Sequence, residues 1–317
     1  MTAMKTVTVV VSVYNEEQAL PQFFEAVKTV LDQAVWDYEL LFVNDGSTDG
    51  SLELLERMAA SDGRVKLVSF SRNFGHEAAM IAGLDYSSGD LVICMDADLQ
   101  HPPECIPRIL AAAEEGCDVI TMVRTRNRSA GFIKELASAG FYRLINALSD
   151  VQFEANASDF FAVSRRAVEV LKGSYREKVR FLRGYVQNLG FKRAKLEYEA
   201  GIRVAGESKY SLRKLFSFAV NTILCFSNLP LRLGIYAGIL TGGLGFLVML
   251  YTIWTWVRVG TPDGYATIVV LICFMFAVLF LIVGIMGEYI AILFAEMKDR
   301  PIYIVERTEN ISQRRAT

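Results

Sequence analysis

The sequence lacks the features that mark several protein classes. Its 33 Lys and Arg residues nearly balance 35 Asp and Glu residues in a chain of 317, so it has no general basic field and binding to nucleic acid is not expected. The five cysteines follow no disulfide or zinc-site spacing, and we interpret them as reduced, packed thiols of a cytosol-facing protein. Residues 1–8 show no basic region followed by an apolar core, so no signal peptide is expected.

Apolar residues make up 52% of the chain and are concentrated after residue 215. Residues 233–257 and 266–287 contain no charged residue, and each run exceeds the roughly 20 residues that cross a bilayer. The pattern predicts two transmembrane helices, at about 233–257 and 266–290. Because neither run carries a charge deep inside it, a transport pathway is not expected.

The charges around these runs predict their orientation. The short connection 258–264 carries one Arg, whereas Lys and Arg residues flank the other ends, so both termini and the N-terminal module are expected in the cytoplasm, at the plasma (inner) membrane. Gly234, Gly238 and Gly242 form a row that permits close helix contact, either with the second span or with another subunit. We favour contact with another subunit, which would make the protein a homo-oligomer.

Between the module and the spans lies a basic amphipathic segment, residues 208–229. It is expected to be a helix in the membrane interface, and a packed core helix is the alternative. The expected organisation is a cytoplasmic domain at 1–207, this interfacial helix, a membrane hairpin at 230–295 and a cytoplasmic tail at 296–317.

Strand and helix patterns alternate along the module. Apolar, β-branched runs predict strands at 6–14, 39–43, 65–70, 91–95, 117–123, 157–163 and 192–199, and helical spacing predicts helices between the first four and at 131–148, 164–171 and 180–190. This order predicts an α/β, Rossmann-like domain with a mostly parallel sheet.

Polar loops follow the carboxyl ends of the first four strands, at 15–16, 45–51, 71–76 and 96–101, and are expected to converge at one sheet edge. Asp96 and Asp98 are two residues apart, so on a continuing strand both lie on one face. Two carboxylates suit Mg²⁺ or Mn²⁺, although an ordinary turn after a core strand is an equally good reading of this pair alone.

Five motifs in order resemble those of the inverting, GT-A-type family-two glycosyltransferases. They are VVVSVYNEE at 9–17, NDGSTDGS at 44–51, SRNFGHEAAM at 71–80, MDADLQHPPE at 95–104 and RVAGESKYSLRKL at 203–215. With the two spans they are most similar to polyisoprenyl-phosphate glycosyltransferases, in particular the bacterial bactoprenol glucosyltransferases. Dolichol-phosphate mannose synthases are related.

The resemblance implies roles for the matching positions. The residues that would bind the donor are Tyr14, Glu16, Asp45, Ser71, Asp96, Gln100, Arg203 and Lys209, and those that would bind the metal are Asp96, Asp98 and Gln100. The acceptor phosphate would be bound by Arg124, Arg126 and Lys209. The catalytic residues would be Asp159 and Asp98. Whether Asp159 is a base or orients the acceptor stays open.

Two positions depart from the family pattern. Relatives often carry an Arg shortly after the Asp-Phe pair, where this chain reads Phe161-Ala162-Val163, and Arg165 or Arg166 is the candidate replacement. His76 stands where a Lys is frequent.

The expected reaction is transfer of one hexose, glucose from UDP-glucose, to undecaprenyl phosphate with inversion at the cytoplasmic face. A relative that uses GDP-mannose or another nucleotide sugar is the alternative. A processive synthase would need more spans and a Gln-x-x-Arg-Trp motif, which the chain lacks. A non-catalytic membrane anchor would not need Asp96, Asp98, Gln100 and Asp159 together.

Overall fold

The computed structural model describes residues 4–125, 157–177, 180–201, 229–259 and 264–311. Within these ranges the chain forms two compact units, one of residues up to 201 together with 300–311 and the other of residues 229–299. The helix expected at 131–148, the interfacial helix expected at 208–229, and Arg126, Arg203 and Lys209 lie outside the described residues.

The first unit is built on an eight-stranded mixed sheet. Its strands are β1 Thr6–Val13, β2 Asp37–Asn44, β3 Val65–Phe70, β4 Leu91–Asp96, β5 Val119–Arg124, β6 Ala157–Ser164, β7 Arg193–Tyr198 and β8 Val305–Glu309, in the order β7-β5-β6-β4-β1-β2-β3-β8. Strands β6 and β8 pair antiparallel with their neighbours and the other pairings are parallel. The expectation of a mostly parallel, Rossmann-like sheet is confirmed.

Helices cover the sheet and connect its strands. In this unit they are α1 Leu20–Leu31, α2 Ser51–Ser61, α3 His76–Tyr86, α4 Ile106–Glu114, α5 Arg165–Ser174 and α6 Leu182–Asn188, with a 3₁₀ turn at Pro103–Cys105. Strand β1 is buried on both faces, with Val9 and Val10 fully enclosed. Helix α3 approaches β1 so closely that a Cβ at Gly83 would collide with the Val10 side chain.

Strand β6 enters the sheet in reverse between β4 and β5. Leu91 pairs with Ser164 and Cys94 with Phe161, so the start of β6 lies at the edge where β4 ends. Continuing this register by two residues brings Asp159 opposite Asp96. A carboxylate from a distant part of the sequence is thereby placed beside the loop that follows β4.

The C-terminal segment forms part of the sheet. Strand β8 pairs antiparallel with β3, and the Asn310 amide donates to the carbonyls of Ala59 and Val65 at 2.7 and 2.9 Å. The sequence analysis did not predict this strand, because an edge strand with a mostly exposed face, reading VERTE, has no apolar alternation.

The second unit consists of two long apolar helices, α7 Leu229–Val259 and α8 Tyr265–Met297. Leu233–Trp254 and Phe274–Met297 are long and apolar enough to cross a membrane, with mean hydropathies of 1.9 and 2.4. Only 6% and 0% of these stretches are buried, so they do not have the burial of core helices in a soluble protein.

At the amino-terminal edge of the sheet a buried carboxylate joins three strands. Glu39 on β2 is 5% exposed and accepts hydrogen bonds from Thr8 and Lys66 and from the backbone and hydroxyl of Ser88. Burial by itself raises the pKa of Glu39, but Lys66, Ser88 and Thr8 outweigh it, and the pKa lies below its usual value.

We therefore expect Glu39→Gln to destabilise the protein by about 3 kcal/mol, because the substitution leaves Lys66 without its charge partner. Since the folded pKa is depressed, the contribution is present above the unfolded pKa of about 4.3 and is lost as pH falls through the folded pKa. Thermal unfolding in detergent as a function of pH measures both effects. The exposed Glu306→Gln is the matched control, and an equal loss there would contradict the assignment.

Candidate active site

The loops after β1 and β2 bind each other at the carboxyl edge of the sheet. The Asn15 side chain, on a residue with φ of 57°, accepts the Thr48 backbone N–H at 2.8 Å, and Ser47 Oγ accepts the Asn15 N–H at 3.1 Å. The Glu16 N–H donates to Ser51 Oγ at 2.9 Å. This interlocking leaves Tyr14 exposed and Glu16 half-buried at the rim.

Asp45 fastens the loop after β3 to the end of β2. Its carboxylate is 2% exposed and accepts the backbone N–H groups of Phe74 and Gly75 at 2.6 and 2.9 Å. Burial raises the pKa of Asp45 more than these hydrogen bonds lower it. At Gly46, with φ of 64°, a Cβ would collide with the Arg72 backbone, so the two loops are in direct contact.

Asp96 lies at the end of β4 among three polar side chains. Its Oδ1 accepts from Ser12 Oγ at 3.4 Å and lies 3.6 Å from His76 Nδ1, and its Oδ2 lies 3.8 Å from His101 Nδ1. The carboxylate is 29% exposed, so it remains open on one side. The sequence analysis named Asp96 but not the Ser12 and His101 that hold it.

His101 supports the Asp96 loop from inside the protein. Its fully buried ring stacks on Phe160 at 5.1 Å, and its Nδ1 accepts the Asp96 backbone N–H at 2.9 Å. Burial lowers the pKa of His101, so the ring is neutral with its proton on Nε2. In the sequence, only the position of His101 at the end of the loop after β4 indicated that it could belong to the site.

The rest of this loop folds back on itself. Asp98, 7% exposed, accepts the Gln100 N–H at 3.1 Å, and Leu99 has φ of 60°. Gly201 donates its N–H to the Gln100 carbonyl at 3.2 Å, and a Cβ at Gly201 would collide with Leu99 O. The loop is therefore closely packed against the chain just before the RVAGESKYSLRKL motif.

Asp159 has a cationic or polar neighbour at each carboxylate oxygen. Arg183 Nε lies 3.5 Å from Oδ1 and His76 Nε2 lies 3.9 Å from Oδ2. Burial by itself raises the pKa of Asp159, but Arg183 and His76 outweigh it, and the pKa is below its usual value. For His76, burial by itself lowers the pKa, but the negative charges of Asp96 and Asp159 raise it more, and the pKa lies above its usual value. Asp159 is thus a carboxylate at neutral pH.

Arg183, on α6, supplies the basic contact that the sequence after Asp159 lacks. The candidates Arg165 and Arg166 bind elsewhere: Arg165 Nε donates to the Gly89 carbonyl at 2.9 Å, and Arg166 pairs with Asp118. Arg183 is also held by the Ala157 carbonyl, at 2.6 Å from Nη1. Sequence reasoning missed it because only the fold brings α6 beside the start of β6.

The remaining predicted residues lie around this centre. Arg124 donates from Nε to the Tyr198 hydroxyl at 2.9 Å, and its Nη2 lies 3.5 Å from His101 Nε2, so it borders the Asp96 loop from behind. Ser71 is exposed, and its backbone N–H donates to the Ile304 carbonyl at 3.1 Å. Asp45, in contrast, is enclosed by the loop that it holds.

The carboxylates of Asp96 and Asp98 fit a metal that shares its ligands with a phosphate. Among the described residues no three His, Cys, Asp or Glu side chains are grouped to enclose an ion. Mg²⁺ and Mn²⁺ do not need such a cage, since one or two carboxylates plus water and phosphate oxygens complete their coordination. The part-exposed Asp96 carboxylate suits such an open site.

Comparison with known proteins assigns the chain to a family. The family model described as "Glycosyl transferase family 2" matches residues 8–171. The chain is also 40% identical over 309 residues, 97% of its length and 95% of the relative's, to the "Uncharacterized glycosyltransferase YkcC" of Bacillus subtilis (strain 168). The chain belongs to glycosyl transferase family 2. It is a glycosyltransferase, and the expected family is confirmed.

Two further relatives are similar over nearly the whole chain, and a solved structure is similar over part of it. The SfII prophage-derived bactoprenol glucosyl transferase of Shigella flexneri is 36% identical, covering 95% of this chain and 98% of that protein. The prophage bactoprenol glucosyl transferase homolog of Escherichia coli (strain K12) is 34% identical, covering 96% and 99%. The glucosyl-3-phosphoglycerate synthase of Mycobacterium tuberculosis, solved with Mn²⁺, UDP-glucose and phosphoglyceric acid, has a TM-score of 0.46 and 21% identity, covering 69% and 78%.

We expect His101→Phe to destabilise the protein by about 1–3 kcal/mol, because the ring stack with Phe160 can persist while the Asp96 N–H loses its acceptor. His101→Gln, which can still accept that N–H, should lose less stability. Thermal unfolding in detergent compares the two variants. Equal stabilities would show that the hydrogen bond to Asp96 has no measurable contribution.

Proposed function

We propose that this glycosyltransferase transfers one glucose from UDP-glucose to undecaprenyl phosphate, with inversion, at the cytoplasmic face of the membrane. Two independent features support the acceptor class. Relatives named bactoprenol glucosyl transferases match the chain over nearly their whole length, and the chain carries two helices apolar enough to span a bilayer.

The observation that carries the proposal is the meeting of Asp96 and Asp159 at one sheet edge, joined through His76, which lies 3.6 Å from one and 3.9 Å from the other. Asp96 begins the loop suited to a nucleotide diphosphate, and Asp159 lies beside the cationic Arg183. The two halves of a transfer reaction, donor and acceptor, thus have adjacent binding groups.

On the donor side, Asp96, Asp98 and Gln100 would hold Mg²⁺ or Mn²⁺. When bound, the ion neutralises the negative charge that develops on the departing diphosphate. Ser12 donates to the Asp96 carboxylate and His101 accepts the Asp96 backbone N–H, so that little rearrangement is needed when the donor binds. Tyr14, Glu16 and Ser71 at the rim would contact the nucleoside. Arg203 and Lys209 would add charge near the phosphates.

On the acceptor side, Asp159 orients the acceptor phosphate and does not deprotonate it. A phosphate monoester has a second pKa of about 6, so the acceptor is already largely a dianion at neutral pH. Arg183 and His76 at Asp159 attract that dianion, and Arg124 and Arg126 would contribute further positive charge. A single attack on the anomeric carbon opposite the leaving group gives inversion.

The membrane arrangement belongs to the same proposal. With the basic flanks of the hairpin inside, the catalytic unit and both termini face the cytoplasm, and residues 208–229 lie in the interface. The glycine row of α7 would pair hairpins in a homo-oligomer. A GDP-mannose or other nucleotide-sugar donor is the second candidate, because pocket shape, which motifs do not report, selects the donor.

The first test offers radiolabelled UDP-glucose, UDP-galactose or GDP-mannose to the purified full-length protein with undecaprenyl phosphate and Mg²⁺ or Mn²⁺. We expect organic-soluble label from UDP-glucose, with at least a hundredfold loss in Asp96→Asn. Label from GDP-mannose alone would replace the donor assignment. No transfer from any donor, in an assay validated with a known synthase, would refute the acceptor class.

A second test separates orientation from base catalysis by Asp159. If Asp159 orients the acceptor, Asp159→Asn should lower kcat by a similar factor at every pH from about 6 to 9, because the acceptor is ionised throughout most of that range. Arg183→Gln, which removes the partner of Asp159, should show the same flat profile. A loss that shrinks as pH rises would instead identify Asp159 as a true base.

A further inference from the structure

A basic cavity lies beside the candidate site, on the loop that Asp45 holds. Its volume is about 380 Å³, and it is lined by the loop after β3, by Arg180 and by the segment that starts at Arg300. Three arginines, Arg72, Arg180 and Arg300, contribute to the lining, and each carries a guanidinium group. Among the described residues that line it, none carries a negative charge.

The local structure holds two of these guanidinium groups in place. Arg72 stacks on the Phe74 ring, 4.1 Å from its centroid, and Arg180 donates from Nη1 to the Ile302 carbonyl at 3.2 Å. A guanidinium carries five N–H donors, so these contacts leave donors that can bind a ligand. Burial lowers the pKa of Arg180 more than Glu77, Tyr185 and Asp45 raise it, but an arginine side chain stays charged at neutral pH.

The remaining wall is a segment fixed by its own contacts. Tyr303 stacks on Phe70 at 5.0 Å and donates its hydroxyl to Asp85 at 2.6 Å, and the Ile304 carbonyl accepts the Ser71 N–H at 3.1 Å. These contacts hold the adjoining Arg300–Ile302 stretch against the loop after β3. The cavity is therefore preformed between two ordered segments.

We propose that this cavity binds a phosphate group, as a site separate from the catalytic centre. Guanidinium groups recognise phosphate through paired, charge-assisted hydrogen bonds, and three arginines lining one cavity suit a phosphate monoester or diester. The phosphate could belong to an anionic lipid headgroup or to free phosphate.

Chain connectivity bears on the lipid source. Arg300 follows the end of α8 by three residues, which span at most about 10 Å. If α8 crosses the bilayer, as the proposed function holds, Arg300 lies near the membrane surface, where anionic headgroups are concentrated. The phosphate chemistry of the cavity itself does not depend on that arrangement.

The site is also connected to the catalytic carboxylates. Gly75 lines the cavity, its N–H binds Asp45, and the next residue, His76, lies beside both Asp96 and Asp159. A phosphate bound to Arg72 and Arg180 would stabilise this loop in the observed position. Binding there is expected to support the catalytic arrangement without touching the reacting atoms.

The test measures binding to the full-length protein in detergent by calorimetry. The probes are dihexanoyl phosphatidylglycerol, inorganic phosphate and, as a control for the acyl chains, dihexanoyl phosphatidylcholine. We expect one site for a phosphate probe, weakened at least tenfold in Arg300→Gln and in Arg180→Gln. Arg307→Gln removes the same charge from the same segment outside the cavity, where Arg307 pairs with Glu56, and should change the affinity less than twofold.

The outcomes distinguish a lipid headgroup from free phosphate as the ligand, and they show which results would overturn the proposal. Arginine-dependent binding of phosphatidylglycerol without inorganic phosphate supports a lipid site, and arginine-dependent binding of inorganic phosphate supports a site for free phosphate. The proposal is overturned if neither probe binds, or if Arg307→Gln weakens binding as much as Arg300→Gln. It is also overturned if Arg300→Gln lowers UDP affinity and leaves phosphate binding unchanged. Since no turnover is measured, failure of the proposed glucosyl transfer would leave this result interpretable.

Discussion

The candidate site depends on the reversed direction of β6 within an otherwise largely parallel sheet. Parallel strands present their carboxyl ends at one edge, and β6 adds its amino end to that edge between β4 and β5. Asp159, which begins β6, therefore meets the loop that starts at Asp96. If β6 ran parallel to β4, Asp159 would lie at the opposite edge of the sheet. It would then be separated from Asp96 by the length of about six strand residues, more than about 15 Å.

Bringing carboxylates together at a half-buried edge has an electrostatic cost that the neighbouring groups offset. The Asp96 carboxylate is bordered by Ser12 and His76, and the Asp159 carboxylate by Arg183 and His76. Since an unpaired charge at a partly buried position is unfavourable, these partners stabilise the site before any ligand binds. They also leave a local field suited to phosphate groups.

The C-terminal segment follows α8 in the chain and packs within the first unit through contacts of its own. Residues after Pro301 stack on Phe70, hydrogen-bond Asp85 and Ser71, and continue into β8 at the sheet edge. The loop that carries Phe74 and His76 is thus fixed from two sides, by Asp45 and by this segment. The loop after β3 and the C-terminal segment form one packed structure.

The sequence by itself determined the βαβ pattern, the two apolar helices and the family, and it named Asp96, Asp98 and Asp159 as candidate site residues, because periodicity and short motifs are local properties. It did not predict β8, whose polar residues lie on an exposed edge, or the roles of His101 and Arg183. Only the tertiary structure decided those roles. The contacts of His101 and Arg183 depend on the direction of β6 and on the packing of α6 against it. Residues far apart in the chain form no local sequence pattern from which such contacts can be predicted.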